Sequence, residues 1–109
     1  MKRALAAALL ALLTALAMAA DGLVPVPPLN ALAIDLTQTL SVEQLATLEN
    51  RLRDFQSRKG SQLAVLIVPS TRPEAIEQYA IRVVDQWKLG RKKVDDGALL
   101  LVAKNDRTV

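Results

Sequence analysis

From Ala98 to Ala103 the chain offers six apolar residues without interruption, and Asp95-Asp96-Gly97 stands directly in front of them. A short apolar run bounded by a turn signal is the pattern of a strand covered on both faces, where a half-exposed strand would alternate. The segment Leu63-Ala64-Val65-Leu66-Ile67-Val68 repeats the pattern upstream and is closed by Pro69. The sequence between the two runs has a helical period. Strand, helix, strand is the grammar of a parallel α/β sheet, and a crossover of that kind is right-handed.

The start of the chain has a different character. Lys2-Arg3 precedes an Ala/Leu run to Ala20, and Ala17-Met18-Ala19 has the A-x-A form of a processing site. Residues 1–20 therefore read as a signal peptide, cleaved after Ala19 or one residue later. An uncleaved anchor is the alternative. A spanning helix needs roughly 20 strongly apolar residues, and this run is shorter and more than half alanine. The expected address is the periplasm or cell envelope. Without residues 1–20 the formal charge falls from +3 to +1, because Lys2 and Arg3 leave with them. The remaining basic residues are interleaved with acids and aromatics are few, so no nucleic-acid platform is visible. The remaining 89 residues suffice for a small core burying ~60% of the unfolded chain's surface. Without cysteine, an exported chain must be held by packing alone.

The residues that are missing also restrict the chemistry. With no histidine there is no Ser-His-Asp or Cys-His arrangement. With neither histidine nor cysteine, the usual zinc sites are excluded. Nothing in the sequence marks a nucleotide site. A metal would be a hard ion bound through oxygen, Ca2+ or Mg2+.

Residues 21–31 contain Pro25, Pro27 and Pro28 and read as an extended, polyproline-like tether. The domain proper spans 32–109. Ala33-Ile34-Asp35-Leu36-Thr37 is a short strand or an ordered lead-in. Ser41 and Gln44 form a capping box, and Val42, Leu45, Leu48, Leu52 and Phe55 make one apolar stripe behind it. With Arg58-Lys59 before Gly60 as the stop, the first helix is placed at 42–59. Gln62 to Val68 is the first buried strand. Thr71-Arg72-Pro73-Glu74 reads as a second capping box, opening a helix over 73–88 whose stripe is Ile76, Tyr79, Ala80, Val83, Val84 and Trp87. Gly90 is the expected end of that helix, with Arg91-Lys92-Lys93 a basic loop. The second buried strand is Ala98 to Ala103. After the turn Lys104-Asn105-Asp106 the chain is expected to return as an antiparallel edge strand. Helix one packs either on the other sheet face or beside helix two.

Two acidic groups emerge as candidate metal sites. Asp95 and Asp96 place adjacent carboxylates on a turn, with Gly97 permitting close backbone approach; an ordinary Asp-Gly turn explains the same residues. The second group lies at the carboxyl ends of the strands, where open α/β sheets bind ligands. Ser70, Thr71 and Arg72 follow the first strand, Asn105, Asp106 and Arg107 follow the second, and Asp35 is expected at the same edge. Helix capping is the ordinary role for Ser70 and Thr71. Arg91-Lys92-Lys93 suits an anionic membrane surface or a solvated loop. Tyr79 and Trp87 belong to the core.

With these residues in place, the chain resembles the TPM domain, a family of exported or membrane-tethered bacterial proteins with a thylakoid-lumen relative linked to photosystem II repair. The resemblance rests on Ile34-Asp35, Leu40-Ser41, Leu48-Glu49 and Gly60-Ser61-Gln62-Leu63-Ala64-Val65. It continues through Ile76-Glu77-Gln78-Tyr79-Ala80, Trp87-Lys88-Leu89-Gly90 and Asp95 to Ala103, with Asp106-Arg107. It implies a three-layer α/β/α sandwich with parallel central strands, here C-terminally truncated, and a missing downstream membrane tether. It also implies calcium binding in some members and a weak phosphatase activity. The expected function is a divalent-cation-binding or partner-binding module in membrane-protein maintenance, acting on a membrane protein or at the membrane surface. A metal-assisted phosphatase is the alternative, with a carboxylate-held ion generating the nucleophilic water.

Overall fold

The structure is a computed structural model that describes residues 22–90 and 97–109. The leader, the basic loop 91–93 and the carboxylates of Asp95 and Asp96 lie outside the described residues. Among those described, no helix is long and apolar enough to cross a membrane. Five elements follow in order: β1 (Ala33–Asp35), α1 (Val42–Lys59), β2 (Gln62–Val68), α2 (Ile76–Trp87) and β3 (Gly97–Ala103).

The sheet has the order β1-β2-β3, and both pairs are parallel. Gln62 pairs with Gly97 and Val68 with Ala103, so the two apolar runs are neighbours over their whole length. Side chains alternate along β2. Ala64, Leu66 and Val68 enter one core with Tyr79, Val83 and Trp87 of α2 and with Leu101 and Ala103. Leu63 and Val65 face the other way, packing with Leu45, Leu48 and Leu52 of α1. The two helices therefore cover opposite faces, giving three layers. Helix α1 starts as its sequence dictates: Gln44 N–H donates to Ser41 Oγ and the Gln44 carboxamide oxygen accepts from Ser41 N–H. It stops at Gly60, in the left-handed region at φ 76°. Val42, placed by its spacing in the apolar stripe, is exposed instead.

Four expectations need correction. No antiparallel edge strand forms among the described residues; a single antiparallel bridge joins Ala103 to Thr108. Between them the chain reverses in a tight turn, with Arg107 N–H donating to the Lys104 carbonyl, so Thr108 meets Ala103 as one bridge and not as a ladder. Helix α2 begins at Ile76, not at residue 73, with Ala75 at its cap and no side-chain cap bond. The partners that a capping box would need are already taken. Thr71 N–H donates to Asp106, the Thr71 hydroxyl donates to the Glu74 carbonyl, and the Glu74 carboxylate binds Arg82. Charged partners win over a neutral cap. The helix ends at Trp87, one residue short of the expected 88, and its left-handed cap is Lys88 and not Gly90, whose N–H donates to the Gln62 carboxamide oxygen.

The fourth correction concerns the proline-rich segment. Residues 22–29 form neither helix nor strand and the chain bends at 30–32, but the segment does not lead away from the domain as a tether would. Val24, Val26 and Leu29 pack against the α2-side core. Tyr79 OH donates to the Pro25 carbonyl at 3.0 Å, Trp87 Nε1 to Pro27 at 2.7 Å and Arg82 Nη2 to Val24 at 2.8 Å.

Candidate functional site

At the carboxyl end of the sheet, the chain leaves β2 through Pro69-Ser70-Thr71 and leaves β3 through Lys104-Asn105-Asp106. Backbone bonds from Lys104 N–H to Val68 and from Asn105 N–H to Pro69 hold the two exits together. This brings the Asp106 carboxylate against Ser70, whose hydroxyl lies 2.8 Å from both oxygens and shares its proton between them. Thr71 N–H donates to Oδ2 at 3.0 Å, and Arg72 Nε stands 3.4 Å from Oδ1. The Ser70 oxygen in turn accepts from Arg72 N–H. The Ser70 hydroxyl, more than any other contact, holds the Asp106 carboxyl below the ordinary 3.8. Desolvation opposes it, and the Thr71 amide and Arg72 add to it.

Asp35 closes β1 at the same end of the sheet, as topology requires, and organises the loop into α1. Its Oδ1 accepts from the Thr37 amide and hydroxyl, and its Oδ2 from Leu40 N–H. Burial alone would raise its pKa. The bonds from Leu40, Thr37 and Thr39 outweigh that and hold it below 3.8. Asp35 ends β1 and Asp106 follows β3, on either side of β2, and the two carboxylates share none of these hydrogen-bond donors. Asp35 is satisfied by its own loop and Asp106 by the loop that follows β2, and among the described residues no three acidic side chains converge as a cation site. The sequence thus places Ser70, Thr71 and Asp106 together correctly. Capping is the wrong role for Ser70 and Thr71, which serve the Asp106 carboxylate.

Both carboxylates titrate lower folded than unfolded, so each contributes stability above the unfolded value that is lost as pH falls through the folded one. The urea midpoint is expected to hold from neutral pH down to about 4 and then fall below the ordinary carboxylate value of 3.8. Asp106→Asn is expected to flatten part of that fall. A midpoint independent of pH down to about 2 would contradict these pairings.

The other notable surface runs along β3. In the parallel ladder Lys104 N–H points to β2, so by alternation the N–H and C=O groups of Leu99, Leu101 and Ala103 point to the outer side. Ala103 finds Thr108 there. The outer edge of β1 is treated differently: Ala33 N–H donates to Glu49 Oε1 at 2.7 Å, and Glu49 is itself paired with Arg53. Beside β3, a groove of 510 Å³ is lined by Ala80, Ile81, Val84, Asp85, Leu89, Gly97 and Leu99. On the opposite face Leu100 is 51% exposed, because α1 reaches only β1 and β2. The guarding role of Glu49 had no sequence signal beyond a carboxylate on a half-buried helix face.

The fold agrees with what the chain is similar to. The family model for the TPM domain matches residues 33–109. The chain belongs to the TPM domain family. The solution NMR structure of the N-terminal domain of a protein from P. gingivalis is 30% identical and superposes with a TM-score of 0.60. That match covers 67% of this chain and 47% of the other, so this TPM domain spans about half the length of its structural relative. No curated protein matches the chain. The family match starts at residue 33, and the proline-rich strap that completes the α2-side core precedes it.

Proposed function

We propose that this TPM domain is a partner-binding module, exported to the cell envelope, that takes up an extended segment of a membrane protein along the outer side of β3. One observation carries the reading: among the described residues, β3 is apolar on both faces but covered on only one. Leu100 is 51% exposed, and beside the strand Ile81 of α2 is 60% exposed. Monomeric domains blunt such edges, as Glu49 does for β1. The Ala103–Thr108 bridge supports an antiparallel partner. A strand in that sense would meet the outward groups of Leu99 and Leu101 and lay alternate side chains beside Leu100 and Val84. Export rests on the basic start and the Ala/Leu run of residues 1–20.

The cation-binding and phosphatase readings ask more of the chain. Calcium or magnesium at Asp106 would have to displace the Ser70 hydroxyl and the Thr71 amide. At Asp35 it would displace three donors that shape the loop. The test titrates the full chain with a synthetic peptide of alternating valine and threonine and follows backbone amide resonances. Shifts and slowed exchange centred on Leu99 and Leu101 are the expected result. No shift at millimolar peptide, or shifts centred elsewhere, would overturn the proposal. Hydrolysis of a phosphomonoester that requires Mg2+ or Ca2+ and disappears in Asp106→Asn would replace it with the phosphatase.

A further inference from the structure

We propose that the Tyr79–Arg82–Trp87 flank of α2 is a recognition groove for polyproline-II segments, filled here by the chain's own Val24–Pro28 and able to take a proline-rich peptide of a partner in its place. Three side chains spread over α2 each donate one hydrogen bond to the strap, and the three strap acceptors are main-chain carbonyls, those of Val24, Pro25 and Pro27. Pro25, Pro27 and Pro28 fix their own φ and bias Val24, Val26 and Pro27, each of which precedes a proline, towards the extended polyproline-II region. A chain in that region makes no internal hydrogen bonds, so its carbonyls are free for such donors. Aromatic residues that combine apolar contact with N–H or O–H donation are the general means of binding it. The contacts made by the strap's side chains are apolar ones, from Val24, Val26 and Leu29. The groove therefore reads backbone conformation and a coarse apolar pattern, which another segment of that type can supply.

The donors are set in place by bonds independent of the strap. Glu74 holds Arg82 through Nε and Nη2 at 2.8–3.2 Å, and the guanidinium lies 5.3 Å from the Tyr79 ring centroid. Tyr79 is fully buried and Trp87 is 8% exposed. With the strap lifted, a phenol and an indole N–H would lose their acceptors while their rings stayed anchored in the core. A buried donor left unpaired is costly, so the groove favours being filled. This flank is distinct from the β3 side of α2, which Ile81 and Val84 border.

The experiment exploits Trp87 as the single tryptophan of the chain. A tethered segment acts at an effective concentration of order millimolar, so the strap must be weakened before a peptide can compete. In the full chain carrying P25G/P27G/P28G, Trp87 emission is expected to shift to the red with the helical circular dichroism retained. A peptide with the sequence of residues 22–30 should then restore the native emission saturably, and a version with glycine for proline should not. Tyr79→Phe in the same background should weaken the peptide about five- to tenfold, the loss of one hydrogen bond. If the triple variant does not fold, the wild-type chain titrated to several millimolar peptide should show a saturable shift of the Trp87 indole proton. Native emission in the folded triple variant without peptide would overturn the proposal, since proline would then be irrelevant. Failure of the peptide to move Trp87 in either chain would overturn it too, leaving the strap a purely local part of the fold.

Discussion

Replacing Tyr79 by alanine is expected to destabilise the domain by ~3–5 kcal/mol, the range for deleting a buried aromatic side chain. The ring is fully buried between β2 and the proline strap, so little of the space can be refilled by solvent. The substitution also strands the Pro25 carbonyl and removes the ring under Arg82. A domain of this size has about 4–12 kcal/mol in total, so Tyr79→Ala should leave a chain that is partly unfolded at room temperature. Tyr79→Phe keeps the ring and should cost only ~1 kcal/mol, the net worth of one hydrogen bond. Urea unfolding followed by circular dichroism and by Trp87 emission checks both. Equal losses in the two variants would mean that the hydroxyl, not the packing, dominates. The phenol adds an alkaline signature. Burial pushes its pKa above 10, with Arg82 pulling down and Glu74 pushing up. The unfolded chain thus ionises first, and the stability contributed by the protonated phenol declines as pH rises past 10.

Local grammar made much of this fold readable. The six-residue run before Lys104, the run before Pro69 and the capping box at Ser41 each carry their signal within a few residues, and each element stands where it is expected. Long-range competition is what defeats such a reading. Glu74 sits three residues after Thr71 as a cap requires, but its carboxylate is drawn two turns along the helix to Arg82. Nothing in residues 22–31 announces that their carbonyls will meet donors more than fifty residues away. The clustering of Ser70, Thr71 and Asp106 follows from parallel topology alone, because residues after two neighbouring parallel strands must share one edge. Which groups would satisfy the carboxylate is a matter of a few ångströms, finer than topology can set.

Gly97 illustrates the limit most sharply, and the strongest steric prediction follows from it. Behind Asp95-Asp96 it reads as a turn glycine, needed for its backbone freedom. In the structure it is the first residue of β3, paired with Gln62, and its φ is not in the left-handed region. What it supplies is room. A Cβ on Gly97 would lie 2.7 Å from the carbonyl carbon of Leu89, 2.8 Å from its oxygen and 2.9 Å from Gly90 nitrogen. All three are main-chain atoms, so no rotamer change can relieve the contact. The Leu89–Gly90 segment is itself fixed by the buried Leu89 side chain and by the bond from Gly90 N–H to Gln62. Gly97→Val must therefore push the end of α2 away from the sheet, and ~3 kcal/mol is expected, the upper part of the range for overpacking. Gly97→Ala should cost less but keep the same sign, since the clash begins at Cβ. Urea midpoints of the two variants, with amide shifts at Leu89 and Gly90, are the measurement. A turn glycine would give a different pattern. Asparagine, which tolerates left-handed backbone, would then be better accepted than alanine, whereas the close approach to Leu89 requires Gly97→Asn to be the worse of the two.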